Sequence, residues 1–338
     1  MQKSDMTGEL IEAPKNREIT RLAIAGLGMV EVPAVIAAGG AELASRYLEF
    51  FAGSIRNPNT RAAYLNAVTR FCDWMEAIGL ADLAAVQPLH VATYVEALGK
   101  THGKASVGQH LSALKSFFAF LVAGGTLKRS PAVEVKAPTF SRRRGATPIT
   151  SGSEVRRLMD AIPTDSLVGL RDRALIATLL YTMARVSAAL HCQVKDYYAE
   201  GFTRWLCLHE KGGKEHRMPV HHQLVEYLET YLDAAGIRDK PGSPLFRSAL
   251  GRTGQLTELA LDRRNALAMI KRRAAQAGIS PALSPHSFRA MAITFYLENG
   301  GTLEEAREMA NHADTRTTKL YDRTERVITQ SAVERIRV

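Results

Sequence analysis

The sequence predicts a mainly α fold in two domains: an N-terminal helical domain, then an α-rich domain carrying a small antiparallel sheet. Three observations predict it. Apolar residues recur every three or four positions through most of the chain, as on one face of a helix. One pair of short runs, "FTRWLCLH" and "HRMPVHH", reads as strands, and the "EKGGKE" between them suits a tight hairpin. Between the two helical regions, "KAPTFSRRRGATPITSGSE" has two prolines, three consecutive arginines and no apolar period.

In chain order, residues 1–40 carry several Gly and Pro and read as a flexible arm with one short helix at most. Residues 41–138 read as the first domain. In "NPNTRAAYLNAVTRFCDWMEAIGL", Asn59 is a cap candidate beside a proline. Leu65, Val68, Phe71, Cys72, Met75 and Ile78 then recur at helical spacing. "LHVATYVEALGK" gives a second helix. "ASVGQHLSALKSFFAFLVAGG" gives another, with Leu111, Leu114, Phe118 and Leu121 on one face and a Gly124–Gly125 stop. Residues 139–150 form a linker. Residues 151–338 form the second domain, opened by a capping box from Ser151 to Glu154. "LRDRALIATLLYTMARVSAAL" reads as one strongly apolar, buried helix. The hairpin follows, and from Gln223 the pattern is helical again.

The chain has 338 residues, 46 % hydrophobic and 23 % charged, enough apolar material for two cores. The net charge of +10 points to a polyanionic partner. No apolar run reaches the about 18 residues of a membrane span. The nearest, Leu22 to Ala41, is broken by Glu31 and Pro33 and is rejected as a signal peptide, so a cytoplasmic, nucleoid-associated protein is expected. Cys72, Cys192 and Cys207 are scattered without paired spacing, which offers neither a disulfide framework nor a zinc pattern. His209, His216, His221 and His222 straddle the hairpin with no ligand spacing, so no metal and no cofactor are expected.

Four stretches hold basic or nucleophilic residues that a core or a plain surface does not explain. Arg185 in "YTMARVSAAL" stands at the end of the most apolar helix and wants an anionic partner, an internal carboxylate or a ligand. Lys211 and Lys214 sit in the hairpin tip "KGGK", where they could reach into a groove or simply solubilise a turn. In "SPHSFRAMAITFYLENG", His286 and Arg289 are three apart and share a helix face, leaving Phe288, Met291 and Phe295 to pack inward. In "TLEEAREMANHADTRTTKLYDRT", Thr302 and Glu305 form a capping box, the helix ends near Asn311, and His312 precedes Tyr321.

In this order the residues resemble the constellation of the tyrosine recombinase, or phage integrase, family. The resemblance covers about residues 41–330. Arg185 matches the first arginine in its "R-[VI]-S" setting, Lys211 the hairpin lysine of "KGxK", and His286 with Arg289 the "HxxR" box. His312 takes the place of the histidine in "LGH", and Tyr321, preceded by "TTxxY"-like residues, that of the nucleophile. Three positions depart from the pattern: Ala188 stands where a glutamate is usual, Ala290 where a histidine is common, and "MANH" replaces "LGH".

The resemblance implies a SAM-like core-binding domain followed by a catalytic domain. It also implies a reaction without metal or nucleotide, in which Tyr321 attacks a DNA phosphodiester and forms a 3′-phosphotyrosyl link. Arg185 and Arg289 would clamp the non-bridging oxygens, being planar and always charged. Lys211 would protonate the leaving 5′-oxygen, His286 would take the phenol proton or orient the phosphate, and His312 would donate to a non-bridging oxygen. The positive cluster is expected to ease formation of the Tyr321 phenolate. Arg142, Arg143 and Arg144 are expected to strap along phosphates, with Lys214 also on DNA. A homotetramer on double-stranded DNA is implied, its C-terminal tail (Val327, Ile328, Val333, Ile336, Val338) docking on a neighbour. The job would be integration, excision or resolution of a mobile element. Two rival readings share the fold: a catalytically silent DNA clamp, favoured by Ala188 and Ala290, and a type IB topoisomerase-like relaxing enzyme.

Overall fold

The structure is a computed structural model that describes residues 21–24, 28–139, 147–210, 213–251 and 253–321. Arg142–Arg144, Lys211 and the tail 322–338 lie outside the described residues. The chain divides into two compact units, Met1–Ser141 and Arg142–Val338.

Among the described residues, the first unit is helical with one short hairpin. Strands β1 (Arg21–Ile24) and β2 (Gly28–Glu31) pair antiparallel, and α1 (Ala34–Ala38) and α2 (Gly40–Glu49) follow. The expectation of a flexible arm to residue 40 is corrected here: Val30, Val32, Val35 and Ile36 are buried in the unit's core beside Tyr47, Phe51 and Phe118. Burying that apolar run offsets the entropy of ordering it. The long helices are α3 (Pro58–Ala77), α4 (Pro88–Gly99) and α5 (Lys104–Ala123). The cap of α3 is Asn57, not Asn59. A residue before proline is held extended, the conformation an N-cap needs, and Asn57 Oδ1 accepts from the amides of Asn59 and Thr60. Helix α5 stops at Gly124, with Gly125 at φ +75.

The second unit opens with α6 (Gly152–Asp160), where Ser151 and Glu154 close the capping box. Helix α7 (Leu167–Tyr181) is buried on nearly every side, and Asp172 within it binds both Arg171 and Arg273. The single long helix expected here is broken. Met183 takes φ +52, and a second helix, α8 (Val186–His191), starts after Arg185. One sheet was expected, but the described residues of this unit form two: β3 (Tyr197–Glu200), β4 (Thr203–Glu210) and β5 (Lys214–Pro219) make a three-stranded antiparallel sheet. After α9 (His222–Ala235), β6 (Arg247–Ala249) and β7 (Leu256–Ala260) make a two-stranded one, interrupting the region read as helical from Gln223. Then come α10 (Arg263–Gln276), α11 (Pro285–Glu298), α12 (Leu303–Met309) and the short α13 (Thr315–Lys319). Helix α11 packs on α7, and Thr302 with Glu305 caps α12. No described helix is long and apolar enough to cross a membrane.

Candidate active site

Five of the six expected residues converge on one site in the second unit, between the α7–α8 break, α11 and the α12–α13 segment. Arg289, on α11, is 1 % exposed, an unusual place for a guanidinium. It donates through Nη1 to the carbonyl of Met183 and through Nη2 to that of Ala310. Each acceptor sits at or beside a left-handed residue, Met183 at φ +52 and Asn311 at φ +46. Non-glycine residues avoid that region unless their surroundings impose it. Here the two turns aim carbonyls into the site.

The Asn311 turn accounts for the "MANH" departure. The amide of Asn311 donates to the carbonyl of Glu308 and that of His312 to Arg307, the two bonds of a Schellman ending on α12. Asn311 fills the left-handed position usually given to glycine. It is among the few other residues that tolerate it, and the turn delivers His312 inward.

Arg185 departs from expectation in burial. It is the N-cap residue of α8, outside any helix, and its side chain is 42 % exposed. Its Nη1 donates to Glu210 Oε2 at 2.6 Å and its Nη2 to the Asn311 carbonyl at 3.4 Å. An exposed guanidinium and a buried one thus bring two positive charges to the same site.

Tyr321, 6 % exposed, follows α13. Its Oη lies 2.8 Å from His286 Nε2, and its ring stacks on His312 at 14° with centroids 6.2 Å apart. The Thr294 hydroxyl donates to the Tyr321 carbonyl, fixing the backbone to α11. His312 Nδ1 is 2.8 Å from the Thr318 hydroxyl, both side chains being buried. His216, on β5, reaches the Met309 carbonyl with Nε2 at 3.0 Å and ties the sheet to the end of α12.

The two guanidiniums act on Tyr321 in the expected direction, but burial outweighs them. Burial pushes the Tyr321 phenol above its ordinary pKa; Arg289 and then Arg185 pull it down, and burial prevails. The phenol is therefore protonated without substrate. Burial, then Arg289 and Arg185, lower the His286 pKa. The same causes push His312 down to about 3, so both rings are neutral at pH 7. Burial and the like charge of Arg185 lower Arg289 to about 10, while Glu210 and Tyr321 act in the opposite direction; it stays charged.

Lys211 follows directly on Glu210, the last residue of β4, and lies outside the described residues. Lys214 opens β5 opposite Glu210 and is exposed. Sequence reasoning missed Glu210, Thr318 and the two carbonyl turns. One usable signal was the alternation in "LCLHE", which sets Glu210 on the face of Leu206 and Leu208. Elsewhere, Cys207, His209 and Glu215 bring ligand-type atoms within 4.8 Å of one another, with His209 Nε2 3.0 Å from Asp196 Oδ2.

Residues 149–326 match the Phage integrase family, and residues 45–125 match the Phage integrase N-terminal SAM-like domain. The chain is 30 % identical over 275 residues to tyrosine recombinase XerD of Corynebacterium glutamicum, covering 78 % of this chain and 86 % of the relative. It is 29 % identical over 270 residues to XerD of Listeria monocytogenes, covering 78 % and 87 %. In fold it is similar to the XerH site-specific recombinase bound to difH substrate (TM-score 0.60, 17 % identity, 86 % and 81 % covered). It is also similar to a lambda integrase tetramer bound to a Holliday junction (TM-score 0.61, 16 % identity, 88 % and 84 % covered).

Proposed function

The chain belongs to the phage integrase family of tyrosine recombinases, and on that premise we propose that it cuts and rejoins DNA strands at a specific site through a 3′-phosphotyrosyl link at Tyr321. The observation that carries this reading is the Tyr321 Oη beside His286 Nε2 at 2.8 Å, next to two guanidiniums.

Tyr321 Oη attacks the scissile phosphorus as His286 Nε2 takes the phenol proton. A neutral His286, its pKa lowered, is free to accept it. The P–O5′ bond breaks, and Lys211 gives its proton to the leaving oxygen. Arg185 and Arg289 face the extra negative charge on the non-bridging oxygens. That charge is absent from the ground state, so the clamp acts on the transition state. A Thr318 hydroxyl that donates to His312 Nδ1 leaves the ring proton on Nε2, which then donates to a non-bridging oxygen. The phosphotyrosyl ester retains the energy of the broken bond, so a 5′-hydroxyl from a second strand reverses the step without nucleotide or metal.

Tyr321 is seated among His286, His312 and Arg289 of its own chain, which supports attack in cis. Strand exchange joins two duplexes with four active sites, so the working form is a homotetramer on DNA. The tail brings Val327, Ile328, Val333, Ile336 and Val338 to a neighbouring copy. A cleft of about 650 Å³, whose apolar wall includes Val155, Met159, Leu180 and Phe295 and whose lining also includes Arg156 and Asp160, is the seat we assign it. Arg142–Arg144 and Lys214 lie along DNA phosphates. The role is integration, excision or resolution of a mobile element.

The experiment is strand exchange in EDTA between two labelled duplexes carrying a site that this protein selects from a random-sequence pool. Recombinant strands are expected. Relaxation of supercoils without exchange would favour the topoisomerase-like reading, and tight binding without either would favour the silent clamp.

A further inference from the structure

Strand β4 ends in "LCLHE". Its alternation turns Leu206 and Leu208 into the core, both 0 % exposed, and the next inward position is Glu210. A carboxylate there loses its hydration and needs a partner. Its partner is Arg185 Nη1 at 2.6 Å, and the glutamate side chain is only 5 % exposed. Arg185 therefore has one edge against a fixed carboxylate and, with Nη2 toward the Asn311 carbonyl, a defined plane. On α8 itself no carboxylate supports it: three residues on stands Ala188, 1 % exposed.

Arg185 and Arg289 are like charges near one buried site, and Arg185 disfavours the charge on Arg289. Glu210 offsets part of that repulsion before DNA binds. Glu210 is also the last residue of β4, so the ion pair ties Arg185 to the end of that strand.

We propose that Glu210 is a positioning residue for strand cleavage: it orients Arg185 toward the scissile phosphate. It supplies from the sheet the carboxylate support that α8 lacks at Ala188. It transfers no proton and touches no DNA. The inference rests on the strand-transfer reading above.

The test uses the full chain and a nicked duplex carrying the selected site, on which the covalent adduct accumulates. Glu210→Gln keeps volume and a hydrogen bond but removes the charge. It is expected to slow adduct formation by up to about 100-fold, the cost of a misplaced reacting group, with DNA affinity unchanged. Glu210→Asp recovers part of the rate. A residue acting through Arg185 gives a non-additive pair, so Glu210→Gln added to Arg185→Lys slows that variant no further. Equal rates for wild type and Glu210→Gln would overturn the inference, as would full additivity with Arg185→Lys, the mark of a merely structural role. A wild type that forms no adduct would overturn the strand-transfer reading and this inference with it, a result distinct from an active wild type indifferent to Glu210.

Discussion

Tyr321 and His286 are joined by one hydrogen bond, Oη to Nε2 at 2.8 Å, across the gap between the end of α13 and the first turn of α11. Burial holds the phenol protonated, and burial with two guanidiniums holds the imidazole neutral. For the proposed reaction, a neutral His286 beside a protonated Tyr321 is the state that general-base attack requires.

The pH dependence of cleavage follows from that pair. His286 must be neutral, and its pKa lies below the ordinary histidine value of 6.5. The cleavage rate of wild type should hold as pH falls through 6.5 and drop only further to the acid side. His286→Gln should lose about 10²–10⁴-fold in rate, the usual worth of a positioned base. It should also lose the acid limb. Single-turnover adduct formation between pH 5 and 8 measures both.

Arg289 is structural as well as electrostatic. Arg289→Ala leaves the carbonyls of Met183 and Ala310 buried without a donor, at about 1–3 kcal/mol each. Arg289→Lys cannot span both acceptors and should recover only part of the loss. Urea denaturation should give a lower midpoint for both variants, Ala below Lys, with cleavage abolished in Ala.

His312 makes stability depend on pH. Its folded pKa, about 3, is below the unfolded value, so between them the unfolded chain binds more protons. Stability is therefore full above about pH 6.5 and falls as pH drops from there toward 3, by at most about 1.4 kcal/mol per pH unit for this one group. His312→Gln should flatten the stability slope between pH 6.5 and 4 by up to one proton, read from denaturation midpoints across that range.

Attack in cis can be separated from attack in trans by mixing. Tyr321→Phe and Arg289→Ala proteins are each expected to be inactive. With Tyr321 serving its own subunit's phosphate, a mixture forms no adduct. A mixture that regains cleavage would place the nucleophile in a neighbour's site.

Much of this site was legible in sequence because its residues lie in strongly patterned elements. The three-residue step from His286 to Arg289, the capping boxes at Ser151 and Thr302, and the apolar face of α11 each rest on short-range chemistry. What stayed hidden depends on tertiary contact. Nothing local predicts that Met183 adopts φ +52; the turn exists because its carbonyl meets Arg289, 106 residues later. The same interruption moved Arg185 from a helix end to an exposed N-cap. Helix propensity favoured a continuous α7, and packing overrode it. Burial of the Tyr321 phenol escaped notice because charge can be counted in a sequence whereas desolvation cannot. The alternation of "LCLHE" sets Glu210 on the face of Leu206 and Leu208, but its pairing with Arg185 is tertiary.

We assign the nucleophile to Tyr321. The most direct measurement of that assignment is the SDS-stable adduct on a nicked duplex carrying the selected site, followed by proteolysis and mapping of the DNA-linked peptide. Wild type should give an adduct on the peptide containing Tyr321, joined to a 3′-phosphate with a free 5′-hydroxyl released, and Tyr321→Phe should give none. An adduct that persists in Tyr321→Phe, or maps to another peptide, would contradict it.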